Sequence, residues 1–156
     1  MRLNHYEFHS AWSIDAGPGD LFDALNDVMR YPLWWPQIKE VVDLGNERHM
    51  IVARSLLPYS LCFEARPGVV DRAAGILETT MTGDLEGYSR WRLAPDGIGS
   101  RVIFEEQVDA NKKLLRRFAL VGRPLFIANH TLMMHRARRG MAVYMAGWRA
   151  ARSGEG

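Results

Sequence analysis

Residues 124–150 read PLFIANHTLMMHRARRGMAVYMAGWRA. Placed at ~100° per residue, Phe126, Met133, Ala137, Gly140, Met141, Tyr144 and Trp148 gather on one helix face. Thr131, His135, Arg138, Arg139 and Arg149 gather on the other. Pro124 suits the first turn, where its missing N–H costs no helical hydrogen bond. The spacing predicts one continuous amphipathic helix from Pro124 to about Ala150. Leu114, Leu115 and Phe118 open the helical period before it, and Gly122 and Pro124 interrupt that period. So long an apolar stripe must be buried against an element of matching size.

The chain upstream supplies that element. His5 to Ile14 alternates, with Tyr6, Phe8, Trp12 and Ile14 on one face and His5, Glu7 and His9 on the other, as in a half-buried strand. Pro18 then opens a helix whose stripe is Leu21, Phe22, Leu25 and Val28. In YPLWWPQI, Pro32 and Pro36 confine any helix to about one turn. Six β-like runs follow: Val41–Leu44, His49–Leu57, Leu61–Val70, Ile76–Thr82, Tyr88–Leu93 and Arg101–Val108. The turn signals between them are Gly45-Asn46, Pro58-Tyr59, Asp71 to Gly75, Gly83 to Gly87 and Asp96-Gly97. Such close spacing suits an antiparallel meander, because parallel strands need longer crossovers. The N-terminal strand completes a sheet of seven. The expected fold is α+β: a curved antiparallel sheet wrapped around the C-terminal helix, with two short helices after strand 1. A twisted sheet curling around one helix leaves a wedge of space where the two diverge, and that wedge is the expected pocket.

Composition agrees with one globular domain, expected over residues 1–152 with a flexible tail at 153–156. The chain is 47% hydrophobic and 24% charged, and a chain of about 150 residues buries roughly 68–70% of its unfolded surface. No apolar run approaches the ~18 residues of a membrane span, and the N-terminus lacks the apolar core of a signal peptide. The single cysteine, Cys62, excludes an internal disulfide framework and a multi-cysteine zinc site. The expected location is the cytoplasm.

Charge is unevenly distributed: residues 1–110 hold ten Lys/Arg against seventeen Asp/Glu, and residues 111–156 hold ten against one. The basic residues are dispersed, without the interleaved aromatic side chains of a nucleic-acid stacking platform. A solvated outer helix face is the simplest reading, DNA is not an expected partner, and membrane or RNA contact is the alternative.

The stretch Trp12-Ser13-Ile14-Asp15-Ala16-Gly17-Pro18, then Leu21-Phe22-Asp23-Ala24-Leu25-Asn26-Asp27 and Tyr31-Pro32 to Trp35-Pro36, resembles the opening of the polyketide cyclase/dehydrase and lipid-transport superfamily. That group is similar to START domains and the birch-pollen allergens. Gly87 to Pro95, with Gly99 and Arg101 to Phe104, resembles its last hairpin. Gly17, inserted between Ala16 and Pro18, departs from the pattern only at the strand-to-helix turn. The resemblance implies a helix-grip fold with an internal cavity for a lipid, a quinone or an aromatic polyketide-like compound. It does not imply one activity, since the group includes aromatase/cyclases as well as carriers. The run Asn26 to Pro32 also resembles coenzyme-Q-binding START proteins and a related group proposed to touch the ribosome.

The pocket is expected between the first half of the last helix and the strand bearing Glu106. Its expected lining is Trp12, Ser89, Trp91, Phe104, Glu106, Phe126, Asn129, His130, Met133, Ala137, Met141 and Tyr144. His130, Glu106 and Tyr144 are the candidates for proton transfer. His130 lies on the apolar side of the helix, where it reads either as a cavity group or as a helix-margin residue bonded to backbone or water. Glu106 shares the phase of Val102, Phe104 and Val108, yet a bulge at Glu105 would turn it to solvent. Arg54, Arg66, Arg90 and Arg92 fall in the outward phase of their strands. Trp34 and Trp35 read as buried under the sheet edge, or as an exposed pair at the pocket mouth. The histidine spacings do not suit a metal, and no nucleotide or cofactor motif is present. The functions in play are therefore hydrophobic ligand binding, a metal-independent aromatase/cyclase, and a quinone-linked or ribosome- or membrane-contacting role.

Overall fold

The computed structural model describes residues 4–54, 60–111, 113 and 122–154. Strand β1 (His5–Ile14) leads into α1 (Pro18–Asn26), a 3-10 turn (Val28–Arg30) and the single turn α2 (Tyr31–Trp34). Strands β2 (Ile38–Gly45), β3 (Arg48–Ala53), β4 (Leu61–Asp71), β5 (Ile76–Gly83), β6 (Leu85–Asp96) and β7 (Gly99–Ala110) follow, and α3 (Gly122–Ser153) closes the order. All seven strands form one antiparallel sheet in the order β1-β7-β6-β5-β4-β3-β2. The meander is as the turn spacing predicts, with β1 returning to cap the β7 edge.

Several boundaries differ from the sequence reading: β2 begins at Ile38 rather than Val41, β3 ends at Ala53 rather than Leu57, and β6 and β7 are longer at both ends. The Gly83–Gly87 turn is tighter, because β6 already begins at Leu85 and only Asp84 separates it from β5. Helix α3 is longer at both ends and includes Ser153, the first residue of the expected tail. The Pro58-Tyr59 turn and the Leu114–Phe118 segment lie outside the described residues.

One face of the sheet and the stripe of α3 form a continuous core. From the sheet come Tyr6, Trp12, Met81, Trp91, Val102, Phe104 and Val108; from α3, Phe126, Met133, Met134, Ala137, Met141 and Met145. The buried arc of α3 is wider than expected, since it takes in Met134 and Met145. Trp34 and Trp35 are both buried, which decides between their two readings. Helix α2 reaches α3 at Gly140, where an added β-carbon would land on the Trp34 carbonyl oxygen. A glycine is needed there because backbone meets backbone with no side chain between.

The opposite face of the sheet carries the charges. Arg54, Arg66 and Arg92 are exposed; Arg90 pairs with Glu78 at 2.7 Å and with Glu105 at 3.5 Å. No helix among the described residues is long and apolar enough to cross a membrane.

Candidate functional site

The site begins with strand register. Thr79 on β5 stands opposite Ser89 on β6, Ser89 opposite Glu106 on β7, and Glu106 opposite Phe8 on β1. β7 pairs with both neighbours without a register shift, so no bulge turns Glu106 away. Side chains alternate across a strand, which puts Thr79, Ser89 and Glu106 in one row on the concave face. The rows on either side are Leu77, Trp91 and Phe104, and Met81, Gly87 and Val108. A polar band thus crosses an otherwise apolar floor. Gly87 keeps the second row low: a side chain there would strike the Gln107 carbonyl, and its φ of +152° suits glycine.

Helix α3 lies over the end of the band. The His130 ring stacks on Phe8, with centroids 3.6 Å apart and planes 8° from parallel. That stack directs Nε2 to within 3.6 Å of Glu106 Oε1. Both side chains are largely buried, with 15% and 11% of their surface exposed. Tyr6 and Phe126 continue the aromatic cluster at 4.3 Å between centroids.

Floor and helix enclose a cavity of about 90 Å³. Ser89, Trp91, Phe104, Glu106, Phe126, Asn129, His130 and Met133 line it, with Thr79 completing the polar band. Sequence reasoning anticipates the first eight. It does not anticipate the contribution of β2–β5 and the α2 region, from which Tyr31, Trp35, Ile51, Phe63, Ala65 and Met81 come. Periodicity marks these residues as buried, but only tertiary structure tells a cavity wall from solid core.

Four expected lining residues lie elsewhere. Trp12 packs its ring against Trp91 at 5.1 Å, beyond the cavity floor. Ala137 and Met141 are wholly buried farther along α3. The helix face is continuous, but the cavity's lining on α3 ends at Met133, and Ala137 and Met141 pack in the core beyond it. Tyr144, one turn beyond Gly140, is half-buried against the edge of Trp148, so its hydroxyl is not a cavity group.

Tyr31 and Trp35 form the lid side. The Tyr31 hydroxyl donates to the Leu25 carbonyl at 2.6 Å. Burial pushes this phenol well above its ordinary pKa, an effect that a hydrogen bond from Trp91 partly offsets. The Trp35 indole N–H is buried without a hydrogen-bond partner among the described residues. Beyond Tyr31 lies a second, larger groove of about 480 Å³, which shares Val28, Tyr31, Ala65, Thr79 and Trp91 with the cavity. Asn26, Glu47, His49, Arg66 and Glu78 make its walls more polar.

The arrangement can hold an apolar body and hydrogen-bond one polar group within it. Carboxylate and imidazole at 3.6 Å are neighbours beyond the ~2.6–3.2 Å of direct proton transfer, and both can reach a polar group placed between them.

Comparison with known proteins places this geometry. The sequence description of the polyketide cyclase/dehydrase and lipid transport family matches residues 14–125. A search of curated proteins gives no match. Among solved structures, a START superfamily protein from Mycobacterium smegmatis superposes with a TM-score of 0.74 at 12% identity, covering 91% of this chain and 98% of that one. The Zhui aromatase/cyclase from a Streptomyces species superposes with a TM-score of 0.70 at 10% identity, covering 90% and 93%. The protein Ara h 8.0201 superposes with a TM-score of 0.63 at 13% identity, covering 92% and 99%. At such identities these likenesses establish the helix-grip fold and no more.

Proposed function

The chain belongs to the polyketide cyclase/dehydrase and lipid transport family, and from that premise we propose that its cavity binds a small, mostly apolar molecule bearing a hydroxyl or carbonyl group. The observation that carries this reading is the polar band of Thr79, Ser89 and Glu106 beneath His130, set between apolar rows. A carboxylate and an imidazole enclosed together add little to stability, since desolvation offsets their attraction. A ligand's polar group gives the band a purpose. Glu106 repels a carboxylate and accepts from a hydroxyl, which favours a neutral phenol, enol or alcohol over a fatty acid.

Size narrows the ligand further. A cavity of about 90 Å³ is smaller than the ~150 Å³ space that accepts benzene in another protein. A larger molecule therefore seats its apolar end by Phe104 and Met133, and its remainder passes Tyr31 and Thr79 into the second groove. Burying ~200–300 Å² of apolar ligand surface contributes roughly 5–8 kcal/mol before the costs of binding.

Native mass spectrometry of freshly purified protein tests for a retained molecule, and 2-naphthol serves as a defined probe. Glu106→Gln and His130→Ala should each weaken naphthol binding by about tenfold. Unchanged affinity in both variants removes the band from the site.

The 3.6 Å approach of His130 to Glu106 favours a second reading, catalysis of a cyclisation in the same cavity. Glu106 would take a proton from the carbon between two carbonyls, and the resulting enolate would form the new carbon–carbon bond. Protonated His130 would deliver its proton to the receiving carbonyl oxygen. This reading predicts that Glu106→Gln abolishes ring closure of a poly-β-ketone while leaving product affinity within tenfold. No turnover by the unaltered protein leaves binding as the function.

A further inference from the structure

Residues 122–154 contain six arginines and no aspartate or glutamate. Outside α3, six of the eight described arginines pair with carboxylates, Arg54 and Arg101 being the exceptions: Arg30 with Asp27, Arg48 and Arg66 with Glu64, Arg72 with Asp23, and Arg90 and Arg92 with Glu105. On α3, Arg136, Arg138 and Arg139 are exposed and make no ion pair among the described residues. They do not share one direction. At ~100° per residue, Arg139, Val143, Arg136 and Gly140 fall within an arc of about 100°, whereas Arg138 lies about 160° from Gly140. Arg138 instead borders the groove beside Phe8 to Trp12 of β1.

The Gly140 flank is where α2 meets α3. It also carries large apolar side chains in solvent: Leu33, next to Trp34 on α2, is 66% exposed, and Val143, less than one turn after Gly140, is 75% exposed. Met29, in the adjoining 3-10 turn, is 46% exposed. Unpaired cations beside exposed aliphatic groups are complementary to a surface that offers phosphate charge over hydrocarbon. Nucleic acid would use the charge but leave Leu33 and Val143 without a partner, since neither ring-stacks.

We propose that the α2–α3 flank is a docking surface for an anionic phospholipid bilayer, with Arg136 and Arg139 contacting headgroups and Leu33 and Val143 entering the interface. The contact is peripheral. It sets the outer side of the α2 segment, whose Tyr31 and Trp35 line the cavity, against the membrane.

Co-sedimentation of the full chain with phosphatidylcholine vesicles, alone or with 30 mol% phosphatidylglycerol (about a third of the lipid), tests this. Each interfacial arginine is worth about fivefold in partitioning, so Arg136→Gln with Arg139→Gln should lower binding to the anionic vesicles about 25-fold. Arg138→Gln, the charge-matched control on the far flank, should change it less than twofold. Leu33→Ser with Val143→Ser should also weaken it, and ~0.5 M salt should abolish most of it. Folding of each variant is checked by its urea midpoint and by retained 2-naphthol binding, which reports the ligand site between sheet and helix. No binding to anionic vesicles at low salt overturns the proposal, as does an equal loss with Arg138→Gln. Tight binding of single-stranded RNA without vesicle binding overturns it in favour of a nucleic-acid partner.

Discussion

At Tyr31 a single hydroxyl ties the lid to α1. Its bond to the Leu25 carbonyl is buried, and removing the donor leaves that carbonyl unsatisfied. Tyr31→Phe should cost about 1–3 kcal/mol in urea unfolding; a loss below 0.5 kcal/mol, on the order of surface-substitution effects, would mean that water or a rearranged backbone takes over the bond. A second residue reports pH. His5 is held above its ordinary pKa of 6.5 by hydrogen bonds to Asp109 and Glu7, at 2.8 and 3.2 Å. Because the folded value is raised, its stabilising effect is complete below the unfolded value and is lost as pH rises through the folded one. An NMR titration should give a midpoint above 6.5, and Asp109→Asn should bring it back toward 6.5; an unmoved midpoint would contradict the assigned cause. At this scale the sequence put Glu106 in phase with Val102, Phe104 and Val108 but left open a bulge at Glu105, which the unshifted register of β7 excludes. It was silent about the Phe8–His130 stack, because strand and helix periodicity give faces and not the pairing of two rings 122 positions apart in sequence.

The elements are joined at glycines as much as at side chains. Gly140 lets α3 lie on the Trp34 carbonyl, so Gly140→Ala must separate two backbones. Alanine in a helix ordinarily gains up to about 1 kcal/mol over glycine; here the strain should reverse the sign and give a net loss of ~2 kcal/mol. Gly147, on the same helix with no atom within 4 Å of an added β-carbon, is the internal comparison. Gly147→Ala should stabilise by about 0.5–1 kcal/mol. Equal effects at both positions would show that the Gly140 contact is not tight. Element order and the meander of β2–β7 were legible beforehand, since turn signals and period changes are local; the long-range pairing of β1 with β7 was not. Nor was the position at which α3 stops lining the cavity. It is a matter of tertiary packing, so Ala137, Met141 and Tyr144, expected in the wall, lie beyond its last α3 residue, Met133.

Across the whole molecule, the same curvature that closes the sheet over α3 opens the cavity between them. Helix, sheet and pocket were derivable together from amphipathicity and the meander. The pocket's full lining was not derivable, because β2–β5 and the α2 segment reach it only through the curl of the sheet. Methionines are distributed so that they report this geometry. Met81 and Met133 line the cavity; Met141 and Met145 are buried in solid core, and Met134 borders the outer groove beside β1. The most direct test is therefore a methyl-labelled methionine NMR titration with 2-naphthol. Saturable shifts of the Met81 and Met133 methyl groups, diminished in Glu106→Gln, with Met134, Met141 and Met145 nearly unmoved, are the predicted result. Shifts confined to Met134, or no saturable shift at Met81 and Met133, would contradict an enclosed site between sheet and helix.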